Sequence, residues 1–493
     1  MARGEAGRVA IIGGGLGGLA TALRLACHGW RVTVFERHAT LGGKMNRLER
    51  GGYRFDTGPS LITMPWAFRE TFEAAGERME DYLDLVRVRP LCSYLFDDGE
   101  RFEMSSSLPE LRAGIARLEG GDASGFLRFL AMGASVLDLS RATFFQRSPW
   151  EAPRASEVGA LRRPLSPAVL RPYRRVVASA CRDPRVRQLL DRYTTYVGSD
   201  PARTPAMLSV IPAVELLEGG WHVRGGLYRV AEALVWLCER RGVELRTCAH
   251  VGRIRTDGRR VQGVELASGE AHDAEVVVMN GDSERLPALL GQSTERSEPP
   301  ASRSLSGLVM LFGVPRRLEG WPHHQVLFSA DYAKEFRDLF DERRFPEDPT
   351  VYVNTPTRTD PAMAPDGCEC VFVMANAPAS EAASWSDAEQ AAAVERVERR
   401  LERAGLLGAL RDAEVRVVLT PRWLRETFDM PGGAIYGAAS HGARGAFLRP
   451  PNRDRRFHGL YRVGGSTHPG GGTPTVLLSA RIACDLIERH ERR

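Results

Sequence analysis

Val9 to Ile12 is a short apolar run suited to a buried parallel strand. The pattern after it predicts a glycine turn, a helix to about His28, a break at Gly29 and a second strand from Arg31 to Phe35. Further on, Leu91 to Met104 alternates as a hairpin turning at Asp97-Asp98-Gly99, and Leu108 to Phe145 carries apolar residues at helical spacing. Tyr193 to Gly198 and Pro201 to Pro212 form an apolar segment punctuated by prolines. Leu227, Val230, Leu234 and Leu237 mark an amphipathic helix that Gly242 ends, before a strand from Val243 to Arg246. Val261 to Leu266 and Ala274 to Met279 read as strands, the second closing at Asn280-Gly281-Asp282. Leu308 to Val314, Val326 to Phe328, Val351 to Asn354 and Val371 to Asn376 suit an antiparallel sheet flooring a ligand cavity. Asp387 to Ala404 predicts a charged surface helix, and Gly459 to Pro474 a short strand running into a glycine loop before the helix Val476 to Arg489.

The first of these patterns carries chemistry. Gly13-Gly14-Gly15-Leu16-Gly17-Gly18 matches G-x-G-x-x-G between a strand and a helix, where Gly13 permits the turn, Gly15 admits a pyrophosphate and Gly18 lets the helix pack on the sheet. The helix N-terminus attracts the phosphate anion, and Glu36 at the end of the second strand can accept both ribose hydroxyls. The uncharged run from Val9 to Leu23 is too short to span a bilayer, and Arg24 ends it.

Composition narrows the class. A chain of 493 residues with 43% hydrophobic and 26% charged content is long enough for two or three well-buried domains. A net charge of +5 is small for that length and argues for no nucleic-acid partner. The charge is uneven, with ten arginines against Glu157, Asp183 and Asp191 between Arg154 and Arg192. That stretch is a solvated helical face or, given the interleaved Leu161, Leu165, Val169, Leu170, Tyr173, Val176 and Val177, a patch that meets anionic lipid. The eight cysteines lack C-x-x-C spacing and read as reduced, mostly buried thiols. The N-terminus lacks signal-peptide architecture, so the expected location is cytoplasmic, peripheral on the inner face of the cell membrane.

Two further segments extend the nucleotide signature. Arg37 to Lys44 holds a second glycine pair, Gly42-Gly43, ahead of a cation, and Phe55-Asp56-Thr57-Gly58-Pro59-Ser60 ends in another glycine turn. An acid, then G-G, then D-x-G-P is similar to the flavoprotein pattern of the amine-oxidase superfamily. Phe55 to Pro65, with Leu460-Tyr461-Arg462-Val463-Gly464-Gly465-Ser466-Thr467-His468-Pro469-Gly470, resembles the bacterial-type phytoene desaturase branch. The resemblance implies FAD as the nucleotide, with Glu36 and Arg37 at the adenosine ribose and Gly43 and Lys44 along the pyrophosphate. It implies Gly58, Pro59 and Ser60 near the flavin, and Val251 reading the adenine edge through its backbone. Gly464, Gly465, Pro474, Thr475 and Val476 would stand at the flavin's pyrimidine edge, where the helix dipole favours the hydride-accepting state. Lys44 departs from the commoner arginine and loses its bidentate fork, and Gly471 to Thr475 departs from the commonest loop form.

The fold expected from this is α/β. A Rossmann-like FAD-binding domain is built from residues 1–85, 218–300 and 455–493, and a mixed α+β substrate-binding domain from 86–145, 193–217 and 301–454. A helical, basic, membrane-facing insertion takes 146–192. The implied reaction is oxidation of phytoene or a related acyclic carotene, a long polyisoprenoid drawn from the membrane, by hydride transfer to FAD, with quinone or oxygen as the final electron acceptor. An end-modified carotene is the near alternative; amine oxidation and a non-redox isomerase or carotenoid-binding role are the distant ones. His468, in the loop expected to face the flavin, is a candidate base or else an organiser of that loop, and Glu215 is a second candidate base. No metal site is expected: His323 and His324 are adjacent, would point to opposite strand faces, and read as loop histidines.

Overall fold

The computed structural model describes residues 7–153, 155–162, 165–292, 303–379 and 385–492. Its nucleotide domain is a five-stranded parallel sheet in the order Leu460–Arg462, Val276–Met279, Arg8–Ile12, Arg31–Phe35, Glu244–Arg246. The central strand pairs Ile12 with Phe35 on one side and with Met279 on the other, so its end delivers the chain to the mouth of the sheet. The helix Leu16–Cys27 follows and packs against the helices Thr473–His490 and Tyr228–Arg240, which bury Leu19, Leu23, Leu234 and Ile487. A three-stranded antiparallel sheet, Val251–Asp257, Arg260–Leu266 and Ala271–Asp273, covers the other side.

The second sheet has seven strands in the order Val415–Leu419, Ser306–Val314, Glu369–Ala377, Val351–Asn354, His324–Leu327, Cys92–Leu95, Arg101–Met104. The antiparallel floor expected from the sequence is there, but it is mixed: the hairpin joins it by a parallel pairing of Cys92–Leu95 with His324–Leu327. His323 is a loop residue as expected, whereas His324 opens that strand; both are buried. The last helix starts earlier than its apolar run, at Thr473. Proline at its first turn forfeits no helical hydrogen bond, and Thr475 Oγ1 accepts the Gly472 N–H at 2.7 Å.

Short helices occupy the basic stretch: Ala155–Leu161, Tyr173–Ala180 and Pro184–Asp191. Val169, Tyr173, Val176 and Val177 turn inward onto the core that holds Phe129, so they do not form an outward apolar stripe. Leu170 is the one of these that is strongly exposed. Arg154 and Arg163 lie outside the described residues. Among the described residues, no helix is long and apolar enough to cross a membrane. All eight cysteines are free, and five of them are buried.

Candidate active site

The nucleotide turn is built as its glycine spacing requires. Gly13 has φ +98°, a region closed to most side chains, and its carbonyl accepts from Asn280 Nδ2 at 3.0 Å. A Cβ on Gly18 would stand 2.1 Å from the Gly13 carbonyl oxygen, which is why the helix can close on the sheet only at glycine. A Cβ on Gly15 would stand 3.2 Å from Asn280 Nδ2, a tight contact with one side-chain end, and Gly15 lines the cavity. Glu36 is buried with its carboxylate fixed by two backbone donors, Gly14 N–H at 2.8 Å and His38 N–H at 2.9 Å. Each carboxylate oxygen keeps acceptor capacity toward the cavity it lines.

That space is a single cavity of about 810 Å³ running from the nucleotide turn into the second domain. Gly13, Gly15, Glu36, Arg37, Gly43 and Lys44 line its first part, with Val251 on the flank. Gly58, Pro59 and Ser60 meet Gly464, Gly465, Pro474, Thr475 and Val476 in its middle. Arg37 donates to the Thr427 carbonyl and Lys44 Nζ to the Ile435 carbonyl at 2.6 Å, so both cations are held along the cavity wall. Gly18 is outside the lining and serves packing alone. Beyond the glycine loops the walls become apolar, with Val136, Phe144, Val210, Val214, Val309 and Met374.

His468 does not face this cavity. It is fully buried, its Nε2 donates to the Phe144 carbonyl at 3.0 Å and the Arg147 carbonyl at 2.9 Å, and its ring meets Phe144 edge-on at 4.5 Å. Burial pushes its pKa down to about 4, so it is neutral and ties the glycine loop to the segment after the helix Ser124–Ala142. The organiser reading holds, and the assignment of His468 as a base falls. Glu215 does line the cavity, but its oxygens accept from Tyr193 at 3.0 Å and Tyr196 at 2.7 Å.

Arg192 and His324 line the cavity although the sequence reading put neither there, while Tyr196 and Tyr352 line it from segments expected at the cavity but were not singled out. Arg192 counted as one of ten surface arginines, yet it points inward. The signal available was its place just past the helix Pro184–Asp191, three residues after the buried Leu189 and four before Tyr196. Burial, then the charges of His222 and Arg192, push His324 down to about 3. Asn354 Nδ2, which can only donate, stands 3.1 Å from His324 Nδ1, and the Tyr352 oxygen lies 2.7 Å from the same nitrogen and 2.7 Å from Ser60 Oγ. Among the described residues, no group of three potential metal ligands occurs, although the rings of His222, His323 and His324 neighbour one another.

A glycine turn, a doubly anchored acid and a cavity shared by both sheets is the arrangement of a flavoprotein, and a match to a family model decides the matter: flavin-containing amine oxidoreductase, over residues 16–488. The chain belongs to this family. The family's flavin fits the cradle, since Glu36 is held ready for ribose hydroxyls and the Gly15 backbone is bare where a phosphate must approach. Within the family, the chain is 34% identical to the 1-hydroxycarotenoid 3,4-desaturase of Flavobacterium sp. strain P99-3, over 97% of this chain and 98% of that protein. It is 36% identical to the zeta-carotene-forming phytoene desaturase of Myxococcus xanthus, over 97% and 93% respectively. Its fold is also that of putrescine oxidase, with a TM-score of 0.63 at 16% identity over 98% of this chain and 99% of that one. FAD is thus the cofactor of this oxidoreductase.

Proposed function

We propose that this chain is a carotenoid desaturase that removes two hydrogens from adjacent carbons of a long acyclic polyene. The observation that carries the reading is the continuity of the cavity: the nucleotide cradle opens directly onto apolar walls. Bound there, FAD supplies the hydride acceptor that no side chain can provide. The chain's own part is to hold the cofactor at Gly13, Gly15, Glu36, Arg37, Gly43, Lys44 and Val251, with Gly58 to Ser60 and Gly464, Gly465, Pro474, Thr475 and Val476 around the ring. Phe144, Val214, Val309 and Met374 exclude water and grip the polyene. Quinone or oxygen would take the electrons away.

In the same reading the substrate comes from the cytoplasmic face of the bilayer, past the insertion 146–192. Exposed Trp150, Val158, Leu170 and Leu448 favour this, as do exposed Arg171 and Arg175. Arg174 is excluded from that role, because it pairs with Asp191 at 2.7 Å.

The test is anaerobic mixing of FAD-loaded protein with liposome-held phytoene, then with quinone. Bleaching of the flavin band by an acyclic carotene and its return with quinone is the expected result; no bleaching by any carotene, with bleaching by a primary amine, refutes the reading. For the membrane face, flotation with anionic vesicles should be lost when Arg171 and Arg175 are changed to Glu. Equal flotation of the variant removes the proposal.

A further inference from the structure

One part of the cavity wall does not suit a hydrocarbon. Arg192 is 9% exposed, lines the cavity, and has no carboxylate within 4 Å among the described residues. Its guanidinium lies over the rings of Tyr196, Tyr94 and Tyr352 at 5.3, 5.7 and 5.9 Å, contacts that stabilise the charge but occupy no N–H. The one hydrogen bond it donates to a described residue is a long one, 3.4 Å, to Tyr196. A buried guanidinium carries several donors in a rigid fork, and leaving them unpaired against a hydrocarbon is costly. They call for an acceptor that the chain does not supply.

The charge balance says which acceptor. Tyr196 passes its own proton toward Glu215 at 2.7 Å, so one cation and one carboxylate are coupled through a shared phenol, and Tyr193 adds a second donor to that carboxylate. An anionic ligand would upset this pairing, whereas a neutral oxygen would complete it. The cluster also has a fixed relation to the glycine loops, because Tyr352 under Arg192 is hydrogen-bonded to Ser60.

Resting on the carotenoid reading above, we propose that Arg192, with Tyr196 and Glu215 beside it, is a subsite for a neutral acceptor oxygen, a hydroxyl or carbonyl, on the end group of the polyene. Anchoring that oxygen sets which pair of carbons stands at the Gly58 to Ser60 loop. The enzyme therefore prefers an end-oxygenated carotene to a plain one and acts at a fixed number of bonds from the oxygen.

The experiment is equilibrium titration of the FAD-loaded protein with micelle-held carotenes of equal length bearing plain, hydroxyl or aldehyde ends, read from the shift of the polyene band. A hydroxyl or aldehyde end should tighten binding about 10-fold or more. Arg192→Met should erase the preference and Arg192→Lys keep part of it; Tyr196→Phe, which spares the guanidinium, should weaken it if Arg192→Met fails to retain flavin. Equal affinity for the three ends, or a preference that survives in Arg192→Met and Tyr196→Phe, overturns the proposal. So does Arg192-dependent binding of an isoprenoid quinone with no effect of the carotene's oxygen. Oxygen-dependent affinity without flavin bleaching would leave the subsite standing and remove the desaturase reading; bleaching by plain and oxygenated carotenes at equal affinity would do the reverse.

Discussion

Replacing Gly18 and Gly15 by alanine, one at a time, separates the two tasks of the glycine turn. At Gly18 the new methyl would sit 2.1 Å from the Gly13 carbonyl oxygen, far inside ordinary contact, and the group it meets is backbone. No rotamer relieves this, so the helix Leu16–Cys27 must lift from the sheet, at about 3 kcal/mol, the upper end for overpacking. Alanine's better helix propensity returns about 1 kcal/mol, leaving a net loss of about 2 kcal/mol. At Gly15, φ −73° and ψ 176° suit alanine, and the nearest atom is a side-chain amide at 3.2 Å. The apoprotein should therefore lose less than about 0.5 kcal/mol, as at an ordinary surface site. The methyl nevertheless stands in the cavity where a phosphate must approach, so FAD should bind about 10- to 100-fold more weakly. Urea unfolding of the two apoproteins, with FAD titration followed by flavin fluorescence, makes the comparison. Wild-type FAD affinity in Gly15→Ala, or equal loss of apoprotein stability in both variants, would refute the reasoning.

Glu36→Ala removes the acceptor of two backbone amides, and FAD retention should fall about 10-fold or more; unchanged flavin content in the purified variant tells against the ribose contact. His468 is neutral in the folded protein, with its pKa at about 4 against an ordinary 6.5, so only the unfolded chain gains a proton as the pH drops below 6.5. Its contribution is thus present above pH 6.5 and is lost as the pH falls toward 4, about 3 kcal/mol in all, and His468→Asn should flatten the plot of urea midpoint against pH; parallel plots refute this. Arg449 is buried and donates to the carbonyls of Tyr436, Gly465 and Ala438, so Arg449→Lys, which cannot span them, should speed proteolysis of the apoprotein and lower flavin content. Wild-type proteolysis rates would count against that clasp.

The nucleotide half was legible because its constraints are local. A turn between a strand and a helix needs glycine at Gly13 and Gly18, and an acid must end the next strand, so spacing alone carried Val9 to Glu36. The substrate half depends on contacts between distant segments. Nothing near His468 says that its ring will be taken by the carbonyls of Phe144 and Arg147, more than three hundred residues earlier in the chain. Arg192 misled for a related reason: its charge outweighs its position in any local reading, and only the rings of Tyr94 and Tyr352, brought in by two strands of the second sheet, make an inward site for it. The apolar residues of the basic stretch were read as interleaved with its arginines in a lipid-meeting patch, but Tyr173, Val176 and Val177 pack into the core around Phe129 while Leu170 stays exposed.

The strand order of the nucleotide sheet also governs how the protein is made. Arg8–Ile12 leaves a ribosome well before Leu460–Arg462 and the helix Thr473–His490, which close the same sheet and core. At usual rates of synthesis the two are separated by on the order of a minute. Through that interval the first helix can pack on Tyr228–Arg240 but lacks the partner that Thr473–His490 supplies, and the cofactor cradle cannot be completed. A nascent chain halted before Thr473 would therefore lack part of the flavin cradle and expose the side of the first core that the helix Thr473–His490 covers.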